Sequence, residues 1–255
     1  MNSKIASLLF ISTIIQMLSS CDESDMVWNL PRKNDADSLQ NQNSGNPKAP
    51  VASFSASSRS VKIGESVQFL NTSTQSPTTV EWQFENGDPV SSIANNPTVT
   101  YNKIGNHGVS LYVSNSFGDD NRQVPDYIET YYLKSFANNV WDGWVSTGWT
   151  FSSSPACPDC INAWQNSSNN PLSYTITRQF SNVSPGAKLE FYYNISSPGG
   201  TLNAKIDNVT VFTTSGFGSG TASVNTGNST SFTVTMEAVV GYTQNIYLND
   251  IRIRP

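Results

Sequence analysis

The residues best suited to bind a ligand are tryptophans, four of which fall between positions 141 and 164 of the sequence. An indole presents a flat apolar face that stacks on the C–H face of a sugar ring, while nearby Asp, Asn and Gln side chains bond its hydroxyls. Trp149 leads into a strand-like run and is predicted to fill the core. For the other three, both a binding role and a core role stay open. The candidate ligand-binding residues are Trp141, Asp142, Trp144, Asn162, Trp164 and Gln165.

Two cysteines, in the string Cys157-Pro-Asp-Cys160, lie between two of these tryptophans. A structural zinc site needs four thiolate or imidazole ligands, which are not available here. A thioredoxin-like redox site needs a βαβ context that the sequence pattern lacks. In an exported protein, a local disulfide between Cys157 and Cys160 is the simplest interpretation. Closing so short a loop adds little global stability, so its effect is local rigidity.

Composition and charge exclude several classes of function. Charged residues make up 13% of the chain and its net charge is −5, so it offers no basic surface to a nucleic acid. Because His107 is the only histidine, a Ser-His-Asp triad or a metal site with several histidines is nearly excluded. The sequence also lacks a nucleophile elbow, a phosphate loop and a zinc-protease helix. We expect a protein that is not an enzyme and has no catalytic residues.

The N-terminus is predicted to be a targeting segment. Lys4 precedes an apolar stretch that is too short for a transmembrane helix, so residues 1–20 are typical of a secretory signal. The string LSSC at 18–21 resembles the lipobox of bacterial lipoproteins. The resemblance implies that Cys21 is acylated, with palmitate among its lipids, and that the protein contacts the membrane through this lipid anchor only.

The residues after Cys21 indicate where such a lipoprotein resides. The string DESD at 22–25 resembles the surface-export signal of Bacteroidetes lipoproteins, which implies an outer-membrane, cell-surface location. The alternative is the enteric rule, under which an Asp after the lipidated cysteine retains the protein in the inner membrane. Residues 21–47 are polar and lack apolar periodicity, so they are predicted to form a flexible tether.

From Pro50 onward, short alternating apolar runs separated by turn residues predict a β-sandwich over residues 48–132. The strings VxxGxxVxFxNxS from Val61 and WxFxxGxP from Trp82 resemble a PKD domain. The resemblance implies an immunoglobulin-like sandwich with Trp82 in its core, and a role as spacer or accessory module in an extracellular protein. His107 stands where that family usually carries an aromatic, and we expect its ring to be partly buried.

Residues 136–255 form a second region of period-two runs, among them Leu172 to Phe180 and Phe232 to Ala238. In the last run, Ile246 and Ile251 can share one face only if a residue near Asp250 is bulged out. This ending resembles the terminal strand of galactose-binding-like jelly rolls, which implies a jelly-roll fold. In that family an acidic residue near this strand can hold structural Ca²⁺. Asp250 is therefore either a calcium ligand or a hydrogen-bonded structural residue, and one carboxylate is no coordination set for Ca²⁺.

Taken together, the sequence predicts an all-β protein with two β-sandwiches in tandem. The expected function is that of a non-catalytic cell-surface lipoprotein that binds extracellular glycan or polysaccharide, beside partner proteins that take up or degrade it. No cofactor is expected apart from the structural Ca²⁺ considered for Asp250. One alternative is a surface adhesin or structural protein that contacts other proteins through the tryptophans. Another is a purely architectural protein in which all tryptophans are buried. Exposure of the indoles distinguishes the three.

Overall fold

The computed structural model describes residues 47–152, 157, 159–164, 171–196, 198–241 and 245–255. The predicted signal and Cys21 lie outside these residues, as does the tether except for Pro47. The described part is almost entirely β-structure, with one short 3₁₀ turn at Ala137–Asn139, which confirms the predicted fold class. None of its helices is long and apolar enough to cross a membrane.

Nine strands form the first sandwich: β1 (Phe54–Ala56), β2 (Ser60–Lys62), β3 (Ser66–Asn71), β4 (Thr79–Phe84), β5 (Gly87–Asp88), β6 (Ser91–Ser92), β7 (Thr98–Tyr101), β8 (Gly105–Asn115) and β9 (Gly118–Lys134). One sheet has the order β1-β3-β7-β5, and the other has the order β6-β4-β8-β9-β2. Trp82 is fully buried between them, as expected, with its ring against Phe54 and Phe69. Its indole N–H donates to the Ala94 carbonyl at 3.0 Å.

The single histidine is also a core residue. The His107 ring stacks on Tyr101 with 5.0 Å between centroids. It is fully buried, whereas the sequence predicts a partly buried ring. Its Nε2 atom lies 2.8 Å from the Thr130 hydroxyl and 3.0 Å from the Lys103 carbonyl. Burial lowers the pKa of His107, which favours the neutral ring at physiological pH.

Ten strands form the second sandwich: β10 (Val145–Thr147), β11 (Thr150–Phe151), β12 (Ile161–Trp164), β13 (Leu172–Phe180), β14 (Lys188–Ile195), β15 (Thr201–Ile206), β16 (Val209–Ser215), β17 (Gly218–Asn225), β18 (Phe232–Val240) and β19 (Asn245–Arg254). Sheet A has the order β10-β13-β18-β15-β16, and sheet B has the order β11-β12-β19-β14-β17. Alternate residues of each central strand are buried between the sheets, as along β18, where Val234, Met236 and Ala238 point inward.

The predicted bulge in the last strand is confirmed. Arg252 pairs with Glu190 and Asn249 pairs with Tyr192, so the two residues between them on β19 face a single residue of β14. Asp250 occupies the bulge with a φ of +51°, in the left-handed region that Asp tolerates better than most residues. The bulge restores the phase of the strand and keeps Ile251 in the core.

The two sandwiches share a strand. Strand β9 runs for 17 residues, and its end at Tyr132 to Lys134 pairs with residues 251–253 of β19 in sheet B. Ile104, which belongs to the first sandwich, is buried in the second hydrophobic core. Its amide and carbonyl bond to backbone groups at Asn182 and Ser184, at 3.1 and 2.9 Å. Lys48–Pro255 consequently form one compact unit.

The outer surface of sheet A carries a polar network centred on Glu237. Its carboxylate lies 2.9 Å from the Lys205 ammonium and accepts hydrogen bonds at 3.0 Å from both Ser173 and Asn203. The hydrogen bond from Lys205 is the main reason that the pKa of Glu237 lies below its ordinary value of 4.5. Three neighbouring strands are linked through this one side chain.

We expect Glu237→Gln to lower the free energy of unfolding by about 1 kcal/mol at pH 7. The folded-state pKa is lowered, so this stabilisation is complete above the unfolded value of 4.5 and is lost as the pH falls through the folded-state value. Urea unfolding at pH 7 and pH 3 measures the difference between wild type and variant, which should shrink in acid. Glu81→Gln, at an exposed position of β4, is the control. A difference that is the same at both pH values contradicts the prediction.

Candidate ligand-binding face

One face of sheet B points away from the core and carries side chains suited to a ligand. On β12, Ile161 and Ala163 are buried, while Asn162 and Trp164 point outward. The same alternation along β19 and β14 places polar and aromatic residues on this side. We call it the outer face of sheet B. Trp164 is 49% exposed, which leaves much of its indole accessible.

Three aromatic side chains cross this face in a line. Trp164 pairs with Asn245, two residues before Tyr247 on β19. In turn, Tyr192 on β14 pairs with Asn249, two residues after Tyr247. Each step moves one strand sideways and two residues along, a diagonal of about 8 Å, so the three rings extend over roughly 16 Å. We call Trp164, Tyr247 and Tyr192 the aromatic diagonal.

Amide and hydroxyl groups surround the aromatic diagonal on the same face. Asn245 and Asn249 alternate with Tyr247 along β19, and Asn194 lies directly opposite Tyr247 on β14. On the other side, the Thr150 hydroxyl donates to Asn162 Oδ1 at 2.7 Å and thereby fixes the orientation of that amide. Such groups both donate and accept hydrogen bonds, as a polyhydroxylated ligand requires. The Oδ1 atom of Asn249 is buried, so it is not accessible to such a ligand.

A shallow pocket of about 250 Å³ lies at the Tyr192 end of the aromatic diagonal. Its lining includes Tyr192, Thr221, Glu190, Asp250 and Arg252. The bulge at Asp250 shapes this pocket, because it turns an extra side chain out of β19 at this point. The sequence pattern predicts a bulge near Asp250 but does not connect this residue with the aromatic diagonal.

Trp144 does not belong to this face, which corrects its assignment as a candidate ligand residue. The ring is buried, with only 4% exposed, and packs against Phe180 in the second core. Its indole N–H donates to the Tyr132 hydroxyl at 2.9 Å, and the Arg178 guanidinium donates to the same hydroxyl at 3.0 Å. A ligand cannot reach the faces of this indole. Trp149 is buried as predicted, and its N–H donates to the Tyr174 carbonyl.

Trp141 and Asp142 have their contacts elsewhere in the domain. The Trp141 ring is half-buried against Phe151, with 4.6 Å between centroids, and Phe151 belongs to the inward side of sheet B. Asp142 lies 3.6 Å from the Arg178 guanidinium, whose strand β13 is in sheet A. Of the five candidates that the structure describes, only Asn162 and Trp164 therefore lie on the outer face of sheet B. Gln165 lies outside the described residues.

The hydroxyl of Tyr132 links Trp144 to Arg178, and its removal tests that network. We expect Tyr132→Phe to lower the free energy of unfolding by about 1–3 kcal/mol, because the buried Trp144 N–H loses its acceptor. Chemical denaturation measures this loss. The control is Tyr112→Phe, at a half-exposed position of β8. Equal stability of the Tyr132 variant and wild type contradicts the network.

The structure bonds the sulfurs of Cys157 and Cys160, with 5.4 Å between their Cα atoms. This bond precedes β12, so it anchors the chain just before the strand that carries Trp164. The Cys160 amide also donates to the Cys157 carbonyl, and the Cys160 carbonyl accepts from Ser152. Together, these contacts tie the start of β12 to the end of β11.

The carboxylates around Asp250 do not by themselves form a coordination set for calcium. Ca²⁺ takes six to eight oxygen ligands. Among the residues that the structure describes, no three His, Cys, Asp or Glu side chains gather at one place. Around Asp250, Glu190 is the other carboxylate of the pocket, and the Arg252 guanidinium supplies a cation instead of a ligand.

Sequence reasoning missed Tyr192 and Tyr247 as candidate ligand residues. Both lie in runs that alternate correctly, and the outward positions of β14 and β19 were available from the pattern of buried Leu, Phe and Ile. The missing information was which strands are neighbours, because only the pairing of β12 with β19 and of β19 with β14 brings the three rings into line.

Comparisons with known proteins match part of the first sandwich to a family. Residues 51–125 match the PKD domain family. The PKD1 domain of the Vibrio cholerae metalloprotease PrtV is 31% identical and covers 32% of this chain and 99% of its own, with a TM-score of 0.27. A search of curated proteins found no match.

Two further solved structures resemble larger parts of the chain. One is described as a carbohydrate-binding module of the β-sandwich superfamily; it is 16% identical and covers 82% of this chain and 99% of its own, with a TM-score of 0.39. The K1 cleaved adhesin domain of Lys-gingipain from Porphyromonas gingivalis is 11% identical and covers 49% and 98%, with a TM-score of 0.41.

Proposed function

We propose that the protein is a non-catalytic glycan-binding protein and that the outer face of sheet B holds the polysaccharide. The observation that carries this proposal is the aromatic diagonal, three outward rings on adjacent strands with amide side chains between them. Aromatic faces supply apolar contact to the C–H faces of sugars, and the amides bond the hydroxyls. A face about 16 Å long is more than one sugar ring needs, which favours a chain of several units.

The remainder of the proposal concerns where this face is displayed. Cys21 is the lipidated residue, residues 21–47 are the tether, and the two sandwiches stand outside the outer membrane as one unit. The protein then assists partner proteins that take up or degrade the polysaccharide. A single stacking site is weak, and many copies on one cell surface raise the effective affinity.

Affinity gel electrophoresis tests glycan binding directly. A protein spanning residues 47–255 contains both hydrophobic cores and is run through gels that contain neutral and acidic plant, host and microbial polysaccharides. We expect retardation by at least one polysaccharide, and no shortening of that polysaccharide after prolonged incubation. Retardation by none of them refutes the proposal and favours the adhesin alternative. Shortening of the chain refutes the non-catalytic part.

The lipid anchor is tested in whole cells. We expect labelled palmitate to be incorporated into the full-length protein and not into the Cys21→Ser variant. Added protease should remove the sandwiches from intact cells. Palmitate labelling of the serine variant contradicts anchoring at Cys21, and full protection from protease contradicts surface display.

A further inference from the structure

The pocket at the end of the aromatic diagonal has a charge pattern that bears on which polysaccharide is accepted. Glu190 and Asp250 contribute two carboxylates to it, and Arg252 is the one cation in its lining. Along β19, Asp250 directly follows Asn249, which lies opposite Tyr192. Arg252 is two positions further on. A sugar stacked on Tyr192 therefore meets Asp250 before it meets Arg252.

The guanidinium of Arg252 lies near an aromatic ring of the first sandwich, while Arg252 also lines the pocket. It lies 5.5 Å from the ring centre of Tyr131 on β9, which borders β19 on the edge opposite β14. In the described part of the chain, Arg252 forms no ion pair with Glu190 or Asp250 within 4.0 Å. Glu190 accepts only a long hydrogen bond, at 3.4 Å, from Ser223. Among the described residues, the two carboxylates thus line the pocket without an ion-pair partner.

The other charges nearby do not compensate them. Lys188 is exposed and stands one outward position beyond Glu190, on the side away from Tyr192. Arg254, which is opposite Lys188, is held 2.8 Å from the Glu129 carboxylate of β9. Lys188 and Arg254 are accordingly further along the strands from Tyr192 than the two acids, whereas Arg252 lies directly opposite Glu190. A like charge brought into such a pocket is repelled, and this is an effective means of rejecting a ligand.

We propose that Glu190 and Asp250 make the site selective for uncharged polysaccharide and exclude chains that carry carboxylates. This inference rests on the proposed function of the outer face of sheet B. Sugar hydroxyls donate to the two carboxylates, whereas a uronate or other acidic sugar at Tyr192 places a third negative charge in the same pocket. The net charge of −5 adds repulsion at longer range.

A matched pair of probes tests the inference. The neutral polysaccharide that retards the wild-type protein most is compared with its carboxymethylated derivative, so that the backbone is the same and only the carboxylates differ. We expect the wild type to bind the derivative at least tenfold more weakly. The double variant Glu190→Gln/Asp250→Asn should reduce that ratio by about tenfold. The control is Glu81→Gln/Asp119→Asn, which removes the same two charges from exposed positions on the first sandwich.

Ionic strength supplies a second readout, which misfolding does not imitate. Raising the salt concentration screens exposed charges, so we expect the wild-type discrimination to weaken between about 0.01 and 1 M salt, and that of the pocket variant to change much less. The inference is overturned if the wild type binds both probes equally. It is also overturned if the pocket variant still binds the neutral chain but has the same ratio of affinities for the two probes as the wild type. Either result leaves glycan binding itself intact. No binding of any neutral chain by the wild type overturns this inference, and no binding of any polysaccharide overturns the proposed function as well.

Discussion

Trp164→Ala is expected to weaken polysaccharide binding by about tenfold to a hundredfold without unfolding the protein. The indole is half exposed and forms one end of the aromatic diagonal, so its removal takes away the largest apolar surface offered to a sugar. Losses of about 2 kcal/mol or more are typical when an anchoring Trp in an interface is truncated. The Kd from affinity gels and calorimetry measures the effect. Tyr247→Ala, in the middle of the line, should produce a loss of similar size.

Two controls make this result specific. Phe217→Ala removes an aromatic ring that is 77% exposed but lies in the turn between β16 and β17 and is not part of the aromatic diagonal. Trp141→Ala removes an indole that packs on Phe151. We expect both to bind polysaccharide like wild type, while Trp141→Ala is less stable. If Trp141→Ala abolishes binding and Trp164→Ala does not, the site lies in the loop around Trp141 and our placement of it is wrong.

The second large effect is on stability, and it arises far from the ligand face. We expect Ile104→Ala to lower the free energy of unfolding by about 2–5 kcal/mol, the usual range for a buried Ile truncated to Ala. In sequence Ile104 belongs to the first sandwich, but its side chain is 2% exposed and packs in the core of the second. Calorimetry should show one cooperative transition in each protein. Its midpoint should be about 10 °C lower in the variant than in the wild type.

Ile93→Ala is the matched control for Ile104→Ala. Ile93 is in the same sandwich and is 84% exposed, so its truncation should change the free energy of unfolding by less than about 0.5 kcal/mol. The shared core is contradicted if the wild type shows two separate transitions and Ile104→Ala lowers the midpoint of only the first of them. The result would then describe two sandwiches that unfold independently.

The strands and the bulge could be predicted because they depend on local pattern. Alternation of apolar residues fixes the two faces of β18, and the phase break between Leu248 and Ile251 requires an extra residue between them. The same logic fails for Trp141, Trp144 and Trp164, which lie in short or irregular segments. Their exposure is decided by contacts with distant residues such as Tyr132, and no local pattern contains that information.

The arrangement of side chains on the outer face of sheet B depends on the order of the strands, which cannot be read from the sequence. Phe191, Tyr192 and Tyr193 follow one another on β14, and period two separates Tyr192 from its neighbours. This alternation cannot show that Tyr192 lies across β19 from Trp164. That arrangement needs the pairing of residues 161–164 with residues 245–248, more than 80 positions apart. The resemblance to known domains indicates the class of fold but does not determine which residues of β12 and β19 pair.

The strand shared by the two sandwiches has a consequence for entropy. Domains joined by a hinge lose rotational freedom when an extended polymer holds them, and that loss subtracts from the binding free energy. Here the end of β9 is hydrogen-bonded into sheet B, and Arg254 is ion-paired to Glu129 across the junction. The freedom of one sandwich to turn on the other is already lost on folding. Binding of a polymer to the outer face of sheet B therefore costs no further entropy from motion between the two sandwiches.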